Sequence, residues 1–114
     1  MKIEIRFRSL TANDALEEHA VRRVHLELAR FGREVDAVVV RIADVNGPRG
    51  GVDKRCQVTV SGRRIGALAV DGRHEDAFAA VSLALGRGAR AVGRGLERAR
   101  AERRPLASPL RRVS

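Results

Sequence analysis

The sequence predicts an α+β fold in the order β-α-β-β-β-α, and three observations carry that reading. Charged and apolar residues alternate in segments such as "KIEIRFR" and "KRCQVTV", apolar residues recur at helical spacing in two longer segments, and glycine turns separate the later strands. With 114 residues and 44% hydrophobic content, the chain fits a single domain with one core of modest size. That domain is expected to span residues 1–104. The remainder, "PLASPLRRVS" (105–114), has two prolines and no period and is expected to be a flexible basic tail.

"KIEIRFR" (2–8) sets Ile3, Ile5 and Phe7 on one face and Lys2, Glu4, Arg6 and Arg8 on the other, the pattern of a strand with one buried face. In "LTANDALEEHAVRRVHLELARF" (10–31), Thr11 or Asn13 can cap a helix whose first turn carries Asp14, Glu17 and Glu18. Leu16, Ala20, Val24, Leu28 and Phe31 form its apolar face, and it ends near Gly32. "VDAVVVRIADV" (35–45) turns Val38, Val40 and Ile42 inward, "NGPRGG" (46–51) is turn chemistry, and "KRCQVTV" (54–60) turns Cys56, Val58 and Val60 inward. "SGR" leads to a fourth strand, "RIGALAV" (64–70), whose small residues on both sides leave its facing open. "DGRHEDAF" (71–78) brings Glu75 and Asp76 to the positive end of a final helix. A helix between the first two strands implies a right-handed crossover joining parallel strands; the short turns after it imply an antiparallel meander. Both helices, roughly parallel, then pack on one face of a four-stranded sheet (a dsRBD-like arrangement).

The stretch "LGRGARAVGRGLERARAERR" (85–104) poses the functional question, because an Arg/Gly arm and a helix would use its charges differently. At about 100° per residue, Phe78, Val81, Leu85, Val92 and Leu96 fall within about 60°, and Arg87, Arg90, Arg94 and Arg98 cluster within about 80° nearly opposite. That predicts a helix with four guanidinium groups on its outer side. Gly86, Gly88, Gly93 and Gly95 together cost such a helix about 3 to 4 kcal/mol relative to alanine. Close approach to the sheet or the other helix would offset that cost; the alternative is a segment that orders only on its partner.

Charge narrows the partner class. The chain has 23 Lys plus Arg against 14 Asp plus Glu, a formal charge of +9 and a pI near 11.5. A GC-rich genome would account for the choice of arginine over lysine, whose only examples are Lys2 and Lys54, but not for the net charge. Such a balance favours polyanions, nucleic acid first. Arginine forks bind phosphate oxygens in pairs, and Arg22, Arg23 and Arg30 add outward cations from the first helix, giving a surface that tracks an RNA backbone without reading sequence. With three Phe and no Trp or Tyr, base stacking is not the main binding mode.

Other classes find little support in the residues. His19, His25 and His74 lack zinc-motif spacing, "RHED" reads as a helix cap, and no nucleophile setting or phosphate-binding glycine loop is present, so no catalytic residue, metal or cofactor is expected. A single cysteine, Cys56, reads as a small core residue and gives no sign of an oxidising compartment. "MKIEIRFR" is unlike a secretory segment and no apolar run approaches a membrane span, so a cytoplasmic protein with no membrane partner and no small-molecule substrate is expected.

"GRHEDAFAAV" (72–81), followed by Leu85, Arg87, Arg90, Val92 and Arg94 at their spacings, resembles the last helix of the ribosome hibernation promoting factors, also called ribosome-associated inhibitors or ribosomal subunit interface proteins. "NDALEEHAVRRV" resembles that family's first helix, "NGPRGGVDKRC" resembles a proteobacterial branch of it, and the element order agrees from Met1 to about Arg104. The resemblance implies binding to the small ribosomal subunit, with its 16S rRNA and ribosomal proteins, in the channel for messenger and transfer RNA. It thereby implies a translation inhibitor that holds idle ribosomes inactive in stationary phase or stress. Arg87, Arg90 and Arg94 match basic positions of the family's last helix and Arg23 one of its first. Phe78 stands where the family usually has Tyr, and its place at the top of the apolar stripe assigns it to the core. Gly88 departs from a large apolar residue, and Glu27 and Leu28 exchange roles in the first helix. The extra C-terminal domain of long family members is not expected, which leaves promotion and prevention of ribosome pairing both open. The alternative function is a generic RNA- or DNA-binding regulator on the same scaffold.

Overall fold

The computed structural model describes residues 1–45 and 53–102; the expected turn at 46–51 and the tail at 105–114 lie outside the described residues. Strand β1 (Lys2–Arg8) is followed by helix α1 (Asp14–Leu28), a 3-10 segment (Ala29–Glu34), strands β2 (Ala37–Asp44), β3 (Lys54–Gly62) and β4 (Gly66–His74), and helix α2 (Ala77–Glu102). The strands lie side by side in chain order. β1 runs parallel to β2, with Ile5 opposite Val40, and the β2–β3 and β3–β4 pairs are antiparallel. The β-α-β-β-β-α reading and the parallel-then-meander order hold.

One sheet face is covered. Val38, Val40 and Ile42 of β2 and Cys56, Val58 and Val60 of β3 are buried against Leu16, Ala20, Val24 and Leu28 of α1 and Val81, Leu85 and Val92 of α2. Ile3, Ile5 and Phe7 are only partly buried, because β1 is an edge strand. The open facing of β4 resolves through its register: Leu68 pairs with Val60 and Val70 with Val58, which puts both on the covered face and Ala67 and Ala69 in solvent. The same pairing places Gly72 opposite Cys56, under α2, where an added Cβ would lie 3.0 Å from Ala84 N. The glycine that lets α2 lie close on β4 is therefore in the strand.

Helix α1 starts at Asn13, whose Oδ1 accepts from Leu16 N–H at 3.1 Å, and Asp14 and Glu17 sit in its positive first turn. It ends four residues before the expected Gly32. From Ala29 the chain tightens into the 3-10 segment, in which Gly32 takes a positive φ of 56°. Leu28 is in the core and Glu27 pairs with Arg23, so the unusual Glu27–Leu28 order is accommodated by an ion pair beside the core. Helix α2 is capped by "RHED": Asp76 Oδ1 accepts from Phe78 N–H at 3.1 Å, and His74 Nδ1 accepts from Asp76 N–H at 3.0 Å.

The Arg/Gly stretch is one continuous helix. Burying Val81, Leu85 and Val92 stabilises it by about 5 to 9 kcal/mol at about 1.5 to 3 kcal/mol each, which exceeds the glycine cost. The four glycines do not serve alike. A Cβ on Gly88 would make ordinary contact with Val70 at 3.6 Å, and one on Gly95 would crowd Ile65 at 3.3 Å, whereas one on Gly86 would meet only Arg90 Nη1, at 3.8 Å. Gly86→Ala should therefore raise stability by about 1 kcal/mol, a rise of roughly 4 °C or more in the midpoint of a thermal melt followed by circular dichroism.

One placement corrects the wheel. Phe78 is not core: it is 37% exposed, and its ring packs at 5.2 Å against His19 of α1. Ala77 and Ala80 in the first turn of α2 still pack on the core, while Phe78 turns toward α1 and solvent.

Candidate nucleic-acid interface

The two helices run in parallel across the sheet. His19 Nε2 lies 3.0 Å from Ser82 Oγ and 3.2 Å from the Phe78 carbonyl oxygen, and further along a Cβ on Gly93 would come within 4.0 Å of the Phe31 ring. Small residues on α2 keep this seam narrow. What remains of α2 is its outer side, where Arg87, Arg90, Arg94 and Arg98 are all exposed, as the helical spacing requires.

These four are not equivalent. Arg87 leans over β4, and its Nη1 donates to the Asp71 carbonyl oxygen at 2.8 Å, which ties the side chain down but leaves its charge unneutralised. Arg90, Arg94 and Arg98 make no ion pair or side-chain hydrogen bond among the described residues. They form a row along one side of a helix about 39 Å long, free to meet an anion. Arg100 is exposed on another side of α2, where it lines a shallow hollow with Arg30 and Phe31. Sequence reasoning left it out because it falls outside the row.

The cations expected from α1 are less openly placed than those of α2. Arg22 is exposed, but it lines the same hollow as Asp14, Glu17 and Glu18, so its field is reduced by neighbouring carboxylates. Arg23 is corrected from an outward cation to a half-buried partner of Glu27, with a buried Nε that has no hydrogen-bond partner. An Arg–Glu pair four residues apart on a helix is a favoured local contact, and the carboxylate offsets the arginine's charge. Arg30 is on the 3-10 segment, not on α1; its guanidinium sits 4.8 Å from the centre of the Phe31 ring, a cation–π contact that fixes it without neutralising it.

Other titratable groups are occupied structurally. Lys54 contacts Asp53 at 2.9 Å and Asp44 at 3.6 Å, and the hydrogen bond with Asp53 raises the lysine's pKa above its ordinary value. Burial, with a smaller contribution from Asp71, pushes the Cys56 thiol up to about 12, so it stays a neutral core residue at physiological pH. Among the described residues no group of three or more His, Cys, Asp or Glu could hold a metal ion, and no helix is long and apolar enough to cross a membrane.

The profile of the family described as sigma 54 modulation protein / S30EA ribosomal protein matches residues 3–100. The chain belongs to this family. Its S30EA domain has the fold of a ribosomal subunit interface protein from Coxiella burnetii, with a TM-score of 0.71 at 13% identity over 85% of this chain and 99% of that one. It is also similar to the N-terminal domain of Protein Y from Thermus thermophilus, with a TM-score of 0.64 at 21% identity over 82% of this chain and 98% of the other. At these identities the likeness concerns the fold. No curated protein matches the chain. The hibernation-factor resemblance of the two helices and the family profile thus converge on one S30EA domain, whose outer helix face carries the arginine row.

Proposed function

We propose that this S30EA-family protein binds the small ribosomal subunit through 16S rRNA, in the channel for messenger and transfer RNA, and keeps idle ribosomes inactive. It acts in the cytoplasm as a binding protein with no catalytic step. The observation that carries the reading is the exposed row Arg90, Arg94 and Arg98 on the outer side of α2, without an ion-pair partner among the described residues, in a chain of a family described as ribosomal. Arg87 and Arg30 flank that row with their charge intact, Arg22 adds a cation moderated by nearby carboxylates, and Arg23 adds one offset by Glu27 on the same helix. Guanidinium groups in a row match successive phosphates and supply affinity with a steep salt dependence.

Sedimentation of the purified protein with purified subunits tests this. The protein is expected to pellet with small subunits at low salt, to be released as salt rises, and to stop vacant small subunits from binding messenger RNA. Pelleting equally with bulk RNA and DNA, with no effect on messenger binding, would favour a generic nucleic-acid regulator instead.

A further inference from the structure

The uncovered face of the sheet carries a second basic surface. The register aligns its outward residues in two neighbouring rows: Arg6, Arg41, Gln57 and Asp71 in one, and Arg8, Ala43, Arg55 and Arg73 in the next. The rows are about 7 Å apart along the strands, and neighbouring positions within a row are about 4.8 Å apart. Five arginines are thus gathered at one end of the face, while the other end holds mostly small or neutral residues such as Ala37, Thr59 and Ala69. Two of the arginines are offset: Arg6 pairs with Glu4, and Arg55 with Asp71 at 3.0 Å. Arg8, Arg41 and Arg73 have no carboxylate partner among the described residues. Ala43, small and central, leaves a hollow of 450 Å³ lined by Arg6, Arg8, Arg41 and Arg55 together with one carboxylate, Asp44.

We propose that this end of the open sheet face is a second RNA-binding surface that takes a phosphodiester backbone. Guanidinium groups that outnumber the acids beside them repel one another, and a polyanion in the hollow relieves that repulsion while filling their hydrogen-bonding capacity. None of the outward strand positions is aromatic, so contacts go to phosphate and are insensitive to sequence. Helices and sheet present opposite surfaces, so the domain holds RNA on both sides. The inference rests on the ribosome reading for the identity of the RNA, but the surface is testable without it.

The test compares wild type, an open-face variant (Arg8→Ala, Arg41→Ala, Arg73→Ala) and a variant of the α2 row, each as the full chain, on purified small subunits and on a fluorescent poly(U) oligonucleotide over a salt series. The open-face variant is expected to bind both probes about tenfold or more weakly, with the salt slope reduced by about two units. The matching Arg→Lys variant should recover much of the slope, because it restores charge. The Arg8→Ala, Arg73→Ala double variant, which alters only exposed side chains, should show a smaller loss in the same direction. Unchanged affinity and slope on both probes would overturn the proposal, as would a loss seen only when vesicles of phosphatidylserine in phosphatidylcholine are run as a third probe. If wild type ignores small subunits but binds poly(U) through the open face, the ribosome reading fails and the second surface stands.

Discussion

Replacing Arg90, Arg94 and Arg98 together with alanine is expected to weaken binding to small ribosomal subunits about 100-fold at physiological salt, since three charge-assisted bonds at about 1 kcal/mol each sum to about two decades. The salt slope should fall by about two to three units, slightly less than one for each phosphate that the variant leaves unneutralised. The substitution isolates binding from folding. All three side chains are exposed and have no ion-pair partner among the described residues, alanine is the best helix former, and like charges four residues apart in the row are relieved. Thermal melts should therefore show the triple variant at least as stable as wild type. Arg87→Ala makes a different comparison, because it also removes the bond to the Asp71 carbonyl oxygen and frees α2 from the edge of β4. Fluorescence anisotropy with labelled protein across a salt series measures both quantities, and an unchanged slope in the triple variant would remove the outer face of α2 from the interface.

Much of the architecture behind this surface was legible in the residues, because each element obeys one simple period. Alternation in "KIEIRFR" and "KRCQVTV" sorted the strand faces, and the apolar stripe through the glycines of α2 identified a helix where composition suggested an arm. Failures occurred where a neighbour decides the outcome. The helical wheel put Phe78 on the apolar stripe, but nothing in the sequence says that its ring meets His19 of α1 and stays 37% exposed. The outward direction of Arg23 was reasonable until Glu27, one turn on, claimed its charge, and that spacing was visible. The facing of β4 could not be read from its small residues and needed the pairing of Leu68 with Val60. For the same reason the basic end of the open sheet face was hidden: each strand shows its own outward arginines, but only the register adds Arg6 to Arg41 and Arg55 to Arg73.

Gly62→Ala is expected to destabilise the protein by about 2 to 3 kcal/mol, lowering the melting midpoint by roughly 8 °C or more. A Cβ built on Gly62 would lie 2.0 Å from the Glu34 carbonyl oxygen and 3.2 Å from Ile65 Cγ1. That oxygen belongs to the backbone where the 3-10 segment hands over to β2, and the region is pinned on several sides. Asp36 N–H donates to the Ser61 carbonyl oxygen at 2.8 Å, Lys2 N–H donates to the Asp36 carbonyl oxygen at 2.9 Å, and Arg64 Nη1 holds Glu34 Oε2 at 2.9 Å. Relief of the clash must move this backbone and loosen the entry to β2, on which both neighbouring strands depend. Measured beside Gly86→Ala, the variant separates two effects of one chemical change. Adding a methyl group reduces the freedom of the unfolded chain at either position and favours the folded state by the same mechanism. A rise at Gly86 with a fall at Gly62 therefore reports packing alone, whereas a rise at both would show that the Glu34–Asp36 backbone yields and that β3 is not fixed by it.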